Sequence, residues 1–194
     1  MKLRKGTLTG LKRLHGRFIT GEKTRLREKK LSDVRNDYRW QSDPELAELD
    51  AAPILITSFS IYLLDYASVL HSQNNNRYPL AIETLDGQHI GNCTFYDISE
   101  EKSEAQIGIM IGNRDYWNNG YGTDVINTMT HYFFTNTSLQ RIYLKTLDWN
   151  HRAQKCFARC GFLPDGKLKR DGHNFLLMQL KREQWEKRRN NGTQ

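Results

Sequence analysis

Apolar residues recur at two different spacings along this chain, and each spacing predicts a different kind of element. Alternation with charged neighbours predicts a first strand over Thr24–Glu28. The stretch "LSDVRNDYRWQ" then has helical spacing, with Ser32 or Asp33 as its capping residue. A second helix is predicted in "SDPELAELD", where Asp43 takes the cap and Pro44 the first helical position.

A third helix and a change of period follow. The helix is predicted to begin near Ser58 or Ser60, and its apolar residues are Ile61, Leu64, Tyr66 and Val69. After the polar loop "SQNNNRYP" the spacing becomes alternating, and "YPLAIETL", "HIGNCTFYDI" and "EAQIGIMIG" are predicted strands. Turn residues at Asp86–Gly87 and in "SEEKS" separate them, so these strands are expected to form an antiparallel meander.

The second half alternates helices and strands. The helix after "YWNNGYG" is predicted to bury one face, made of Val125, Ile126, Met129, Tyr132 and Phe133. A strand, "RIYLKTL", and a helix, "NHRAQKCFARCGF", come next, with Gly161 as the helix terminator. "HNFLLMQL" is a late strand, and a charged tail follows. This order predicts an α/β (α+β) domain with a mixed, mostly antiparallel sheet flanked by helices.

Composition narrows the class of protein. A length of 194 residues with 38% hydrophobic content suits one domain with a single core. No apolar run has the length of a membrane span, and no secretory signal is recognised. Three cysteines without zinc-finger spacing are expected to be reduced thiols of a cytoplasmic protein, and no metal is expected.

The positive charge is concentrated at the beginning of the chain. Residues 1–30 hold eleven Lys or Arg and two Glu, a balance of +9 against +7 for the whole chain. A basic arm of this kind is compatible with contact to RNA, a ribosome or acidic lipid. A solvated extension explains it equally well, and that interpretation is the simpler one.

Two glycines, Gly120 and Gly122, stand at the start of a predicted helix. The first amides of a helix lack internal partners and lie at the positive end of its dipole, so they suit a phosphate or pyrophosphate. Glycine lets a ligand approach that backbone closely. No Gly-Lys-Ser/Thr follows, and Val125 stands where a dinucleotide motif has its third glycine, so ATP and NAD are both disfavoured.

The segment "AQIGIMIGNRDYWNNGYGTDVI" resembles the acetyl-CoA-binding motif of the GNAT superfamily of N-acetyltransferases. Gly120 and Gly122 match the superfamily pattern Gln/Arg-x-x-Gly-x-Gly/Ala. Trp117 replaces its Gln/Arg, as in the branch similar to ribosomal-protein alanine N-acetyltransferases. "TRLREKKLSD" and "DWNHRAQKCFARCGF" resemble two further segments of that branch, in the expected order.

The resemblance implies a fold and its boundaries. We expect a single GNAT-like domain with a sheet of about six to seven strands over residues 21–182. A basic N-terminal extension would occupy residues 1–20 and a charged C-terminal tail residues 183–194. Substrate specificity would come from the early helices and from loops near 71–77 and 163–173.

The resemblance also implies a site for acetyl-CoA. The pantetheine amides would pair with the strand of Ile109, Met110 and Ile111. The pyrophosphate would bind the backbone of Asn118, Asn119, Gly120, Tyr121, Gly122 and Thr123. Asn150 would bind near the pantetheine arm or the thioester and act in catalysis, although an Asn there is also a favoured helix cap.

The acid and base of the family are not found at their usual positions. Phe157, Ala153 and Gln106 stand where relatives often carry Tyr, Ser and Glu. Glu104 lies two residues before Gln106, on the same strand face, and is the predicted base. Further candidates are Asp97 and Glu83. Cys156 is interpreted as a small buried hydrophobe.

Three hypotheses of function follow. The first is a cytoplasmic N-acetyltransferase that moves the acetyl group of acetyl-CoA, in a ternary complex, to a primary amine of a protein N-terminus, a polyamine or another small molecule. The alternative is a non-catalytic acyl-CoA-binding or regulatory module. The third is an RNA- or ribosome-associated protein that uses the basic arm. A homodimer is possible, and no membrane partner is expected.

Overall fold

A computed structural model describes residue 14 and residues 16–71 and 77–191. These residues form one sheet with strand order β1-β2-β3-β4-β5-β6-β8-β7, in which only β5 and β6 are parallel. The strands are β1 Ile19–Thr20, β2 Thr24–Glu28, β3 Arg77–Thr84, β4 His89–Ser99, β5 Glu104–Ile111, β6 Arg141–Leu147, β7 Leu163–Arg170 and β8 His173–Lys181.

Six α-helices accompany the sheet in the described ranges, and two short 3-10 turns precede α1 and the glycine loop. The helices are α1 Val34–Gln41, α2 Pro44–Leu49, α3 Phe59–His71, α4 Tyr121–Asn136, α5 His151–Arg159 and α6 Arg182–Asn191. None of the helices described is long and apolar enough to cross a membrane.

Strand alternation gives the two faces of the sheet different chemistry. Leu26 and Ile82 are paired across β2 and β3 and join the apolar core that packs on α4. Their neighbours Arg27 and Glu83 point to the opposite face, where Arg27 binds Asp33 just before α1. The core therefore lies under α4, and the α1 side of the sheet carries buried charge.

The parallel pair β5–β6 is short. Its residue pairs run only from Glu104–Arg141 to Gln106–Tyr143. Beyond them β5 continues to Ile111 and β6 to Leu147, with no pairing between the two strands in the described chain. The sheet therefore opens like a V at its centre, and the helices α4 and α5 begin beside the opening.

Most predicted elements are found where the patterns indicated them. The strand Thr24–Glu28, the meander of β3, β4 and β5, and the strand Arg141–Leu147 are confirmed. Asp43 caps α2 through a bond from the Leu46 amide, and Gly161 follows α5 with φ +95°. Neither Ser32 nor Asp33 caps α1 through its side chain, because Asp33 binds Arg27 and the Lys30 amide instead.

Two regions differ from the sequence-based expectation. The predicted loop at 163–173 is wrong, because residues 163–170 form edge strand β7, whose exposed, mostly polar sequence carries no strand pattern. Helix α3 exists as predicted, but three of its apolar residues face outward: Ile61, Leu64 and Val69 are 55%, 72% and 66% exposed. The polar loop expected near 71–77 falls largely on residues 72–76, which lie outside the described ranges.

The charged segment after residue 181 forms helix α6. Its Trp185 packs against the core beside Phe134, with ring centroids 5.3 Å apart. Arg182, at the helix start, donates to the carbonyl oxygens of Phe134, Thr137 and Leu139. These contacts fix the beginning of the charged segment to the end of α4.

Candidate active site

The opening between β5 and β6 contains two adjoining cavities of about 290 and 340 Å³. The first, the donor cavity, lies between the end of β5, the glycine loop and α5. The second, the acceptor cavity, lies between β4, β5, β6 and the β7–β8 turn. The two cavities share a junction lined by Leu49, Asp50, Ile109, Asn150, Ala153 and Phe157.

The free edge of β5 presents backbone groups to this opening. The Gly112 amide donates to the Ile90 carbonyl of β4 at 2.9 Å. Because successive residues of a strand point their polar groups to opposite sides, the amides of Ile109 and Ile111 face away from β4 and toward the gap. The indole N–H of Trp117 already occupies the Ile111 carbonyl oxygen at 2.6 Å.

The glycine loop reaches α4 through two residues of left-handed backbone. Asn118 has φ +58°, and Gly120, which precedes the helix, has φ +83°. A Cβ on Gly122 would lie 3.5 Å from Cys156 Sγ of α5, and therefore in the space between the two helices. The first amides of α4 open into the donor cavity, which Gly120, Gly122 and Thr123 all line.

The turn between β1 and β2 supports the glycine loop from outside. The Asp124 carboxylate accepts hydrogen bonds from the Glu22, Lys23 and Thr24 amides and from the Thr24 hydroxyl. Lys23 Nζ in turn donates to the Asn119 carbonyl at 3.0 Å. The β1–β2 turn is thereby fixed to the beginning of α4.

Positive charge surrounds the donor cavity. Arg152, Lys155 and Arg159 of α5 line it. The Arg152 guanidinium lies 3.7 Å from the centre of the Trp117 ring, and Arg114 approaches the same ring at 5.5 Å. These cations and the α4 amides make the donor cavity suitable for an anion.

Cys156 differs from its sequence-based interpretation. It is only half-buried and lines the donor cavity. The neighbouring Cys160 thiol, with further contributions from Thr123 and Arg159, lowers the pKa of the Cys156 thiol to about 6 against the opposing effect of burial. The side chain is therefore a more acidic thiol than an ordinary cysteine rather than an inert hydrophobe.

Asn150 has both of the roles considered for it within reach. Its side-chain oxygen accepts the Ala153 amide at 3.1 Å, so it caps α5. The same residue lines both cavities at their junction. The capping bond is a structural fact, and a catalytic role for Asn150 stays a prediction.

The acceptor cavity is lined by a tyrosine where α5 offers none. Phe157 is buried at the junction and has no proton to give. Tyr96 of β4 lines the acceptor cavity, and its hydroxyl oxygen accepts from the Gln106 amide at 2.6 Å, so the phenolic proton is not used in that bond. Burial is the main reason that the pKa of Tyr96 rises to about 12, which keeps it protonated.

Helix α2 and the residue after it contribute side chains that were not among the predicted site residues. Leu46 lines the donor cavity, and Leu49 and Asp50 line both cavities. The beginning of α2 is tied to the loop after β5, because Arg114 bonds Asp43 at 2.8 Å and Glu45 at 2.7 Å. The sequence signal for Asp50 is its place in the acidic early helices of residues 33–50, which could attract a cationic amine, although a solvated helix face is the simpler interpretation.

The predicted base, Glu104, is not brought to the cavities. It lies at the closed end of the β5–β6 pair, where its carboxylate forms an ion pair with Arg141, and it lines neither cavity. Glu83 is paired with Arg25 and Arg27 on the α1 side. Asp97 is exposed on β4 and lines neither cavity.

The other predicted residues divide into two groups. Ile109, Met110, Ile111, Asn118, Gly120, Gly122, Thr123 and Asn150 line the donor cavity together. Asn119 and Tyr121 lie behind the loop instead. Asn119 bonds the Asp115 carbonyl, and Tyr121 packs on Tyr116.

An open strand edge beside a cationic, glycine-rich helix start is suited to a long anionic ligand. Residues 23–163 match the model of the acetyltransferase (GNAT) domain. This match spans well over half of the chain, and the chain therefore belongs to the GNAT acetyltransferase family. The prediction of an acetyl-CoA-dependent acetyltransferase is confirmed at this level.

Individual relatives agree with the family. The chain is 27% identical over 150 residues to an uncharacterized N-acetyltransferase, p20, of Bacillus licheniformis, covering 76% of this chain and 83% of that protein. The spermidine N-acetyltransferase of Vibrio cholerae, solved with CoA and spermine, superposes with a TM-score of 0.73 at 20% identity, covering 84% of this chain and 98% of the other. RimJ of Mycobacterium smegmatis, solved with CoA-disulfide, superposes with a TM-score of 0.70 at 21% identity, and the match covers 82% of each chain. The two structures establish the fold, and the predicted fold class is confirmed.

Proposed function

We propose that the chain binds acetyl-CoA in the donor cavity and transfers its acetyl group to a primary amine that enters through the acceptor cavity. The observation that carries this proposal is the junction between the two cavities. A donor and an acceptor held on opposite sides of one junction meet there directly, without a covalent enzyme intermediate. Much of the rate would come from this positioning, since well-oriented pairs reach effective molarities on the order of 10⁵–10⁸ M.

Three features of the donor cavity fit acetyl-CoA. The outward amides of Ile109 and Ile111 suit the amide groups of a pantetheine arm. The α4 amides after Gly120, with Arg152, Lys155 and Arg159 near them, suit a pyrophosphate. The space between Gly122 and Cys156 is one that a Cβ would fill. Acetyl-CoA supplies the acetyl group as a thioester.

The residues of the chain then have distinct tasks. The Ile109 amide, which faces the gap and lines the junction, would donate to the thioester carbonyl and stabilise the charge that develops there. Asn150 would hold the donor near the junction while it caps α5. Tyr96, which its raised pKa keeps protonated at neutral pH, would offer a phenolic hydrogen bond on the acceptor side.

The acceptor cavity favours an amine that carries one positive charge. Two carboxylates, Asp50 and Asp171, and two cations, Lys145 and Arg170, line it. Asp171 is already paired with Arg170 at 3.1 Å. A polyamine would bring several ammonium groups toward Lys145 and Arg170, whereas a protein N-terminus would bring one. We therefore favour a peptide N-terminus or another monoamine as the acceptor.

The proposal is tested in two stages. Acetyl-CoA at 100 times its dissociation constant should raise the melting temperature by roughly 5–10 °C, whereas ATP and NAD should not. CoA release is then measured with a free-N-terminal peptide, the same peptide N-acetylated, and spermidine. Release with the free peptide alone supports the proposal, and faster release with spermidine would contradict the monoamine preference. Binding without release on any amine would favour the non-catalytic module.

Finer statements about location and partners stay proposals. Free thiols at Cys93, Cys156 and Cys160 suit a reducing cytoplasm. The basic arm lies mostly outside the described residues, so contact with a ribosome rests on its charge. Loss of salt-sensitive RNA binding when residues 1–18 are deleted would support that contact. A homodimer is tested by sedimentation.

A further inference from the structure

Among the described residues, the junction of the two cavities contains a single ionisable side chain. Leu49, Ile109, Ala153 and Phe157 are apolar, and Asn150 is neutral and engaged as a helix cap. Asp50 is the remaining residue. It follows the last turn of α2, whose end is fixed by the bond from the Asp50 amide to the Leu46 carbonyl.

The Asp50 carboxylate is available to a ligand. Among the residues that the structure describes, no hydrogen bond or ion pair reaches it, and the residue keeps exposed surface although the cavity walls desolvate its carboxylate. By contrast, Asp33, Asp37 and Glu83 each bind a cationic side chain. An unpaired carboxylate at a junction otherwise lined by apolar groups is a binding site for an ammonium group.

The surrounding charges leave Asp50 as the acceptor of protons on that side. Tyr96, Lys145 and the Arg170–Asp171 pair face it from β4, β6 and the β7–β8 turn, and Arg77 acts from β3. On the donor side, the cations of α5 and Tyr116 line the same cavity as Asp50. Desolvation by the walls raises the pKa of the Asp50 carboxyl, and Arg77 opposes this effect only in part.

We infer that Asp50 binds the ammonium group of the acceptor and takes one of its protons, which makes the nitrogen a nucleophile. This inference rests on the proposed function. The ammonium loses one proton to Asp50, and the neutral nitrogen then forms the C–N bond as the C–S bond breaks. The sulfur leaves as a thiolate and takes up the second proton lost by nitrogen. Asp50 returns its own proton to water, so one proton is released per amide formed.

The test compares Asp50→Asn with Glu48→Gln, a matched amide substitution at an exposed position of the same helix. Asp50→Asn should bind acetyl-CoA as the wild type does and keep its melting temperature or gain slightly, because a partly desolvated charge is removed. Its kcat/KM should fall about 10²–10⁴-fold, the range for a lost general base. Glu48→Gln should keep wild-type kcat/KM. Asp50→Glu should restore part of the activity.

The pH profile and amine binding give independent readouts. Wild-type kcat/KM should fall as the pH drops through the raised pKa of Asp50, and this acidic limb should disappear in Asp50→Asn. The amine should protect wild-type enzyme thermally but protect Asp50→Asn much less. Unchanged kcat/KM with the same acidic limb in Asp50→Asn would overturn the inference. A wild type that neither binds acetyl-CoA nor releases CoA would instead overturn the proposed function.

Discussion

Charged side chains are used in opposite ways in two parts of this molecule. On the α1 side of the sheet, Arg27 holds Asp33 through two bonds of 2.7 Å and reaches Glu83 at 2.5 Å, and Lys29 binds Asp37 at 2.6 Å. All of these side chains are less than a tenth exposed. In the cleft between β5 and β6, Asp50 and Cys156 instead line open cavities.

The difference separates structural from chemical roles. A buried charge costs several kcal/mol to desolvate and is tolerated when partners surround it, so removing one partner damages the fold. A charged group that lines a cavity can still bind a ligand, because no protein partner occupies it. The comparison therefore predicts that changes on the α1 side affect stability, and that changes in the cleft affect binding and turnover.

The largest effect is expected from Arg27→Met. The substitution leaves Asp33 and Glu83 buried with fewer partners, and should lower the free energy of unfolding by about 3–5 kcal/mol. Arg25→Met is the matched control. Arg25 binds the same Glu83 at 2.9 Å but is 30% exposed, so its loss should cost less than about 1 kcal/mol. Urea denaturation measures both, and equal losses would break the comparison.

Gly122→Ala should weaken ligand binding without lowering stability. Replacing a helical glycine by alanine favours the helix by about 0.5–1 kcal/mol, and the new Cβ meets Cys156 Sγ at an ordinary contact distance of 3.5 Å. The same Cβ fills the donor cavity, so acetyl-CoA should bind about tenfold more weakly, or about 1.4 kcal/mol. Calorimetry measures the affinity, with exposed Asn127→Ala of α4 as control. Unchanged affinity would contradict the donor assignment.

Two cysteines, one lining the cleft and one buried in the core, should differ in their reactivity. Because the pKa of Cys156 is lowered to about 6, its alkylation by iodoacetamide should change little between pH 7 and 9. Burial raises the pKa of Cys93 to about 12, so Cys93 should stay unmodified. Peptide mass spectrometry measures both sites. Acetyl-CoA should protect Cys156 from alkylation. If acetyl-CoA leaves the alkylation rate unchanged, the thiol does not contact acetyl-CoA in the donor cavity.

The smallest effect is expected from Glu104→Gln. Glu104 is paired with Arg141 away from both cavities, so kcat/KM should stay within about twofold of wild type. Stability should fall by less than about 1 kcal/mol, since the pair is partly exposed. If Glu104→Gln instead lost most of its turnover and its pH profile lost the acidic limb, Glu104 would be supported as the base.

The sequence patterns were sufficient for elements whose signals are local. The alternation around Leu26 and the Asp43–Pro44 pair both predicted their elements correctly. Strand β7 was missed because its residues are exposed and include Pro164 and Gly166, so pairing with β8 alone makes it a strand.

The candidate site was predictable in part for the same reason. The loop of Gly120 and Gly122 is one continuous motif, and its position beside the donor cavity follows from the motif itself. The role of Asp50 depends on tertiary packing, because Asp50 becomes part of the junction only when α2 folds over the end of β5. The Arg27–Glu83 bond likewise depends on the register that sets Arg27 opposite Ala81. No local spacing encodes either contact.

The short pairing between strands β5 and β6 also affects how easily the sheet deforms. Three residue pairs are the whole of the hydrogen-bonded connection between these two strands in the described chain. A donor whose amides meet Ile109 and Ile111 would act as a temporary additional strand. The enzyme would then be stiffest while loaded and most deformable after its product leaves. Slowing of amide deuterium exchange along β5 would mark the loaded part of the cycle.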